Sequence, residues 1–151
     1  MAAGRWKMYH SAKKSIGDGT IDLDTHTFKA ALFLSTSNAN TLTNTLLADL
    51  TNQHANANGY TTGGVALTGV TWVTATSTTT WDANNPSWTA TGGSITARFG
   101  VIYDDTATGD PLVCVCLLDT TPADVTATDG NTFLITINTS GIIAASGSTT
   151  D

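Results

Sequence analysis

The residue types that could bind a metal are few and scattered in this chain. The three histidines, His10, His26 and His54, have no cysteine nearby, and the sequence contains no glutamate. A zinc site would need ligands that converge from separate segments, because tetrahedral zinc usually takes four nitrogen or sulfur ligands. The acidic groups Asp22-Leu23-Asp24 and Asp104-Asp105 have the atoms that calcium prefers, but neither has the spacing of an EF-hand loop. We interpret these aspartates as solvated turn carboxylates and expect no metal ion.

Motifs for covalent or phosphate chemistry do not occur either. The chain has no Gly-x-Ser-x-Gly, and its Gly-Gly pairs at 63–64 and 92–93 are not followed by the lysine of a phosphate-binding loop. A Ser-His-Asp triad could be assembled from distant positions, but no pattern singles one out. We therefore expect a non-enzymatic protein with no catalytic residue and no cofactor.

Two cysteines alternate with apolar residues in the run 111–118. In a strand, Cys114 and Cys116 point to the same face, too far apart for easy bridging. Buried free thiols are favoured over a disulfide, which indicates folding in a reducing cytoplasm.

Charge is sparse and unevenly distributed. Charged residues make up 12% of the 151 residues, and the net charge is −6. Five of the six basic residues lie in residues 1–30, so the remainder is strongly acidic. This distribution argues against a general nucleic-acid-binding protein. No apolar run approaches the ~18 residues of a membrane span, and no secretory signal is expected.

Composition favours β structure. Threonine is abundant and glutamate is missing, and threonine favours strands whereas glutamate favours helices. Alternation of apolar residues predicts a strand near 28–34 and others at 64–74, 77–82, 87–91, 94–104, 111–118 and 131–138. The run 111–118 is apolar on both faces, which predicts a strand covered on both sides. Residues 44–53 are the best helix candidate, since Leu46, Leu47 and Leu50 share one face.

These elements predict a mainly β protein: an antiparallel β-sandwich, jelly-roll or Greek-key like, with one short helix and an extended N-terminal arm. We expect an arm at 1–20, which could be an ordered extension or a short helix, a sandwich domain at 21–145 and a frayed tail at 146–151.

Two groups of residues are candidates for binding. The arm is either a solvated tail or a segment that docks on an acidic partner; its candidate contacts are Arg5, Trp6, Lys7, Met8, Tyr9, Lys13 and Lys14. Trp81 and Trp88, with Trp72, could stack on sugar rings if exposed, although packing in a core or between subunits is favoured.

Several segments resemble small structural proteins of tailed bacteriophages and prophages, of the capsid decoration (cement) or neck and tail type. The similar segments are 6–19, 28–33, 48–53, 58–67, 70–72, 97–103 and 129–133. The order of these motifs carries the resemblance, which spans most of the chain and supplies no catalytic residue.

The resemblance implies a place in the virion, reached after assembly in the host bacterial cytoplasm. The leading hypothesis is a capsid decoration protein that binds the major capsid protein or other virion proteins. A neck, tail or fibre-associated protein and a carbohydrate-binding module remain alternatives. A sparsely charged, threonine-rich surface favours a homo-oligomer, most simply a trimer or dimer. We expect removal of residues 1–19 to leave the sandwich folded but to weaken attachment.

Overall fold

The computed structural model describes residues 4–147, and within them the chain forms twelve β-strands and one α-helix. Every strand pairing is antiparallel. In chain order the elements are β1 (Lys7–Met8), α1 (His10–Gly17), β2 (Phe28–Phe33), β3 (Val65–Ala66), β4 (Thr71–Ala75), β5 (Thr78–Asp82), β6 (Ser87–Thr89), β7 (Ile95–Ala97), β8 (Phe99–Asp104), β9 (Leu112–Leu117), β10 (Val125–Ala127), β11 (Thr132–Leu134) and β12 (Ile143–Ser146). The predicted mainly β, antiparallel fold with one short helix is confirmed.

The largest sheet has five strands in the order β1-β9-β8-β2-β3. All six residues of β8 are buried, and β2 and β9 each bury five of six. Strands buried on both faces need cover on both sides, so this sheet is the central layer of a sandwich-like fold. The prediction that 111–118 forms a doubly covered strand is confirmed by β9.

The remaining paired strands form three smaller sheets. They are the pairs β10-β7 and β11-β6 and the three-stranded sheet β12-β5-β4. The three-stranded sheet packs on the central sheet through Trp81, whose ring lies edge-on to Phe28 at a centroid distance of 4.8 Å. The indole N–H of Trp81 donates to the carbonyl of Leu23 at 3.1 Å, so the one polar atom of this buried ring is satisfied.

Two predicted strands are interrupted. The predicted strand 94–104 is divided at Arg98 into β7, which pairs with β10, and β8, which pairs with β2 and β9. The predicted strand 64–74 becomes β3 and β4, which belong to different sheets. In both places the chain changes its pairing partner, and alternation of side chains carries no information about partners.

The prediction of a helix at 44–53 is wrong. Only a single 3₁₀ turn, Leu47–Asp49, forms there. The amide of Leu47 donates to the carbonyl of Asp110 at 3.0 Å, and the carbonyl of Thr45 accepts from Leu112 at 2.9 Å. The carboxylate of Asp49 accepts hydrogen bonds from the amides of Thr45 and Leu46. Because distant residues and a side chain use these backbone groups, the turn does not propagate into a helix.

The N-terminal segment packs against the central sheet instead of projecting from it. The amide of Gly4 donates to the carbonyl of Leu117 at 2.8 Å, and β1 pairs with β9. Tyr9 and Ala12 are fully buried. The segment therefore contributes to the core, which conflicts with the expectation that the sandwich stays folded without residues 1–19. At the other end, Ser146 pairs with Thr78 in β12, and residues 148–151 of the predicted tail lie outside the described residues.

Candidate docking surface at the N-terminal edge

Strand β1 forms one edge of the central sheet, and the chain from Arg5 into this strand presents two cations. Arg5 and Lys7 are exposed, whereas Trp6, which lies between them, and Met8, which follows Lys7, are half-buried. This alternation follows from the two-residue period of an extended chain, which sends successive side chains to opposite sides. Helix α1 follows immediately and leaves Lys13 exposed. The helix also buries Ala12, so its exposed side is fixed relative to the sheet.

Three of the six basic side chains already have carboxylate partners. Lys14 lies 2.6 Å from Asp18, Lys29 lies 3.0 Å from Asp105 and Arg98 lies 2.8 Å from Asp124. The other three are Arg5, Lys7 and Lys13, and none of them has a carboxylate within 4.0 Å in the described part of the chain. We call these three residues the basic edge.

A cleft of about 360 Å³ adjoins the basic edge. Its lining combines the start of the described chain with the segment before and within β12: Gly4, Arg5, Trp6, Thr136, Asn138, Ser140, Gly141, Ile142 and Ala144. Trp6 offers apolar area, Arg5 offers a cation, and the other wall offers hydroxyl and amide groups. A partner that presents an acidic group beside an apolar one would match both kinds of contact.

One of the predicted contact residues is buried, and another is exposed but already in an ion pair. Tyr9 is fully buried, and its hydroxyl donates to the carbonyl of Ala39 at 2.6 Å. Burial raises the pKa of this phenol well above its usual range. Lys14 is exposed but paired with Asp18, which raises the pKa of Lys14 through their hydrogen bond. The basic edge, Trp6 and half-buried Met8 are the predicted contacts that are at least partly accessible and not already in an ion pair.

The proposed sugar-stacking residues are not displayed. Trp81 is fully buried and Trp88 is 6% exposed. Trp88 packs among Tyr60 and Phe133, with ring centroids 5.9 and 6.2 Å away. A sugar cannot stack on a ring whose faces are already covered, so this assignment is corrected: both residues belong to the core. Trp72 is half-buried.

One acidic residue interpreted as a solvated turn carboxylate is buried. Asp104 is 0% exposed, and its Oδ2 lies 2.6 Å from Nδ1 of His26. Its Oδ1 accepts from the amides of Thr106 and Ala107. The interpretation fits Asp22 better, since this turn residue is partly exposed and its carboxylate accepts from the amides of Asp24 and Thr25. Across residues 4–147, no three His, Cys or Asp side chains group as a possible metal site.

Both cysteines are buried free thiols, as predicted. Burial raises the pKa of Cys114 well above its usual range and the pKa of Cys116 to about 12. Thiolates are the reactive form, so these groups are chemically inert in the folded protein.

Sequence reasoning missed the second wall of the cleft. Asn138 and Ser140 lie at the end of a predicted strand and in the turn after it, and no sequence signal linked them to Trp6. The cleft lies between the N-terminal segment, which pairs with β9, and the segment before β12, which pairs with β5.

The chain matches no protein-family model, no curated protein and no solved structure. None of the helices within residues 4–147 has the length and apolar character needed to cross a bilayer.

Proposed function

We propose that the protein is a non-enzymatic structural component of a tailed-phage virion, most specifically a capsid decoration protein. It would bind the major capsid protein or another virion protein, as a homo-oligomer, without contacting nucleic acid or membrane. The proposal combines the resemblance described above with the features of the N-terminal edge. The protein would be located in the virion after assembly in the host cytoplasm. A neck, tail or fibre-associated role is the alternative within the same class.

The observation that carries the docking role is the placement of unpaired positive charge. Outside residues 1–30 the chain has one basic residue, Arg98, against nine aspartates. Arg98 is paired with Asp124, whereas the basic edge has no carboxylate partner in the part of the chain that the structure describes. Arg5 and Lys7 flank half-buried Trp6 in the chain. Exposed cations next to an apolar side chain suit an acidic protein surface, since charge steers the approach and apolar area adds affinity.

A role as a carbohydrate-binding module has less support. Two of the three tryptophans considered for it are buried. The remaining one, Trp72, is only half exposed at the edge of a sheet.

Immunogold electron microscopy of the parent virus, with an antibody against this chain, tests the location. Label spread evenly over the head supports decoration. Label confined to the neck or tail overturns decoration in favour of the alternative, and the absence of label from all particles overturns the virion assignment.

A pair of matched variants tests the docking surface. The double variant Lys7→Gln with Lys13→Gln removes two unpaired cations, and the control Lys14→Gln with Lys29→Gln removes two paired ones. Both carry the same net charge. We expect the first variant to lose about tenfold or more of its affinity for purified particles in co-sedimentation, which is about 1.4 kcal/mol. The loss should shrink at high salt because ions screen exposed charges. Equal binding by the two double variants would contradict a docking role for the basic edge.

A further inference from the structure

Strand β4 is an edge strand with an unpaired side. In the three-stranded sheet β12-β5-β4 it pairs only with β5, from Thr71 opposite Asp82 to Ala75 opposite Thr78. Successive residues of a strand direct their N–H and C=O groups to opposite sides. Within residues 4–147, the groups that point away from β5 therefore meet no strand.

This edge lacks the features that normally prevent strands from associating. Proteins guard edge strands with charged side chains, proline, bulges or very short length. Residues 69–81 contain no charged residue and no proline, and β4 pairs with β5 over five consecutive residues without a bulge. By contrast, the edge strands β1 and β3 of the central sheet are two residues long, and β1 carries Lys7.

The solvent-facing side of β4 also carries an exposed large apolar side chain, which is rare in this protein. Val73 is 58% exposed, the most exposed of the large hydrophobic residues in the described chain. It lies between Thr71 and Ala75 on the same face, so the exposed row consists of small, uncharged side chains.

A second copy of this chain fits the edge better than a charged partner. Each copy has a net charge of −6, so two copies repel each other over most of their surfaces. The charge-free strand is a place where they can approach without placing like charges together. Antiparallel pairing about a two-fold axis also makes the contact self-complementary, because the same patch serves both copies.

We propose that β4 pairs antiparallel with β4 of a second copy, with Val73 opposite Val73, to form a continuous six-stranded sheet across a dimer. In this register Thr71 lies opposite Ala75, and Trp72 lies opposite Thr74 of the other copy. The inference rests on the homo-oligomer of the proposed function and selects the dimer over the trimer, since one edge can pair with only one other edge. It does not depend on where in the virion the protein sits.

The mass of the full chain in solution, measured by sedimentation velocity over a dilution series, tests the proposal. Val73→Lys places two like charges opposite each other, and Thr108→Lys adds the same charge at an exposed turn between β8 and β9 of the central sheet. We expect dimers for the natural chain and for Thr108→Lys. For Val73→Lys the dissociation constant should rise by about tenfold or more. A monomer at all concentrations, or an unchanged dissociation constant in Val73→Lys, would overturn the proposal.

Oxidative cross-linking tests the register. Both natural cysteines are buried, so a thiol introduced by Val73→Cys is the reactive one. Opposed residues of an antiparallel pair have Cα atoms about 4.5–5.5 Å apart, within the range of a disulfide. We expect covalent dimers from Val73→Cys and none from Thr108→Cys under mild oxidation. Dimers that resist cross-linking at residue 73 would reject this register.

Particle binding separates this inference from the docking proposal. If Val73→Lys is monomeric but a single copy still binds particles, the edge contact stands and particle binding does not require it. If the dimer forms but no particle binds it, the virion role fails while the edge contact stands.

Discussion

His26 and Asp104 are 78 residues apart in the chain, yet Nδ1 of the histidine lies 2.6 Å from Oδ2 of the aspartate. The carboxylate is fully buried, and the imidazole remains 22% exposed. The contact joins the loop before β2 to the end of β8, next to a second link in which the hydroxyls of Thr27 and Thr106 lie 2.8 Å apart. These links fix the end of the central sheet at which β2 begins and β8 ends.

Replacing His26 should therefore destabilise the protein. His26→Ala leaves one oxygen of buried Asp104 without its partner, and we expect a loss of about 2–3 kcal/mol in the free energy of unfolding. The loss is smaller than for a fully buried pair because the histidine is partly exposed to water. Urea denaturation at neutral pH measures the loss, with His10→Ala at an exposed position of α1 as the control.

A double-mutant cycle tests whether the cause is the contact with Asp104. In an Asp104→Asn background, His26→Ala should cost less, because the amide presents no carboxylate to leave unpartnered. An identical cost in both backgrounds would assign the effect to packing alone.

Removing the N-terminal segment should unfold the protein. Tyr9 is fully buried, and its hydroxyl satisfies the carbonyl of Ala39. We expect about 1–2 kcal/mol of destabilisation from Tyr9→Phe through this unpaired carbonyl. Tyr9→Ala should cost about 3–5 kcal/mol, which is the range for deleting a large buried side chain. Lys7→Ala in the same segment is the control, since its side chain is exposed.

A cooperative unfolding transition for a chain that lacks residues 1–19 would contradict this assignment of the segment to the core.

Gly64 should not tolerate alanine. Its φ is +81°, and a Cβ there would lie 1.8 Å from the carbonyl oxygen of Ala30 in β2. Gly19 is a matched control because its φ is also +81° but a Cβ would meet nothing within 4 Å. Gly19→Ala should cost only the backbone strain, about 1 kcal/mol. Gly64→Ala should cost about 3 kcal/mol or more, because the close approach to β2 must open. Thermal unfolding measures the stability that each variant loses. Equal losses in the two variants would show that β2 moves to accommodate the extra methyl group.

Acid should weaken the loop around the 3₁₀ turn. The amides of Leu46 and Thr45 donate to Asp49 and hold the pKa of its carboxyl below the usual range. A lowered folded-state pKa means that the stabilisation is fully present above the unfolded value, about 3.9. It is lost as the pH falls through the folded-state pKa. Asp49→Asn should therefore be less stable than the natural chain at pH 7, and the difference should vanish in strong acid.

Urea midpoints between pH 7 and pH 2 measure this loss. Asp24→Asn is the comparison, because that exposed side chain makes no hydrogen bond in the described part of the chain. A pH-independent difference between Asp49→Asn and the natural chain would show that the carboxylate charge is irrelevant.

Both thiols should be unreactive in the folded protein. Burial raises the pKa of Cys116 to about 12 and that of Cys114 well above its usual range. Unfolded thiols ionise near pH 8.5, so stability should fall as the pH rises above that value, because only the unfolded chain then releases these protons. A colorimetric thiol reagent at pH 8 should label neither cysteine in native buffer and both in denaturant. Rapid labelling of either cysteine in native buffer would mean that β9 opens locally.

Local sequence patterns determined the class of this protein. The abundance of threonine, the alternation through residues 95–103 and the doubly apolar run 111–118 predicted antiparallel strands, and the structure contains them. The Cys114–Cys116 spacing predicted free thiols for a geometric reason that holds in any sheet. These inferences succeeded because they depend on the two-residue period of a strand, which each short segment carries by itself.

Tertiary structure decided where the only α-helix among the described residues lies and what the N-terminal segment does. Residues 44–53 have a helical pattern, but their backbone groups bond to Asp110, Leu112 and the side chain of Asp49. The sequence predicted Tyr9 as a partner contact, but the fold buries it and directs its hydroxyl to the carbonyl of Ala39. The pairing of His26 with Asp104 and the cleft that Trp6 and Asn138 both line bring together residues far apart in sequence. Such contacts depend on strand order, and the sequence cannot specify strand order through local periodicity, because the same alternation fits any neighbour.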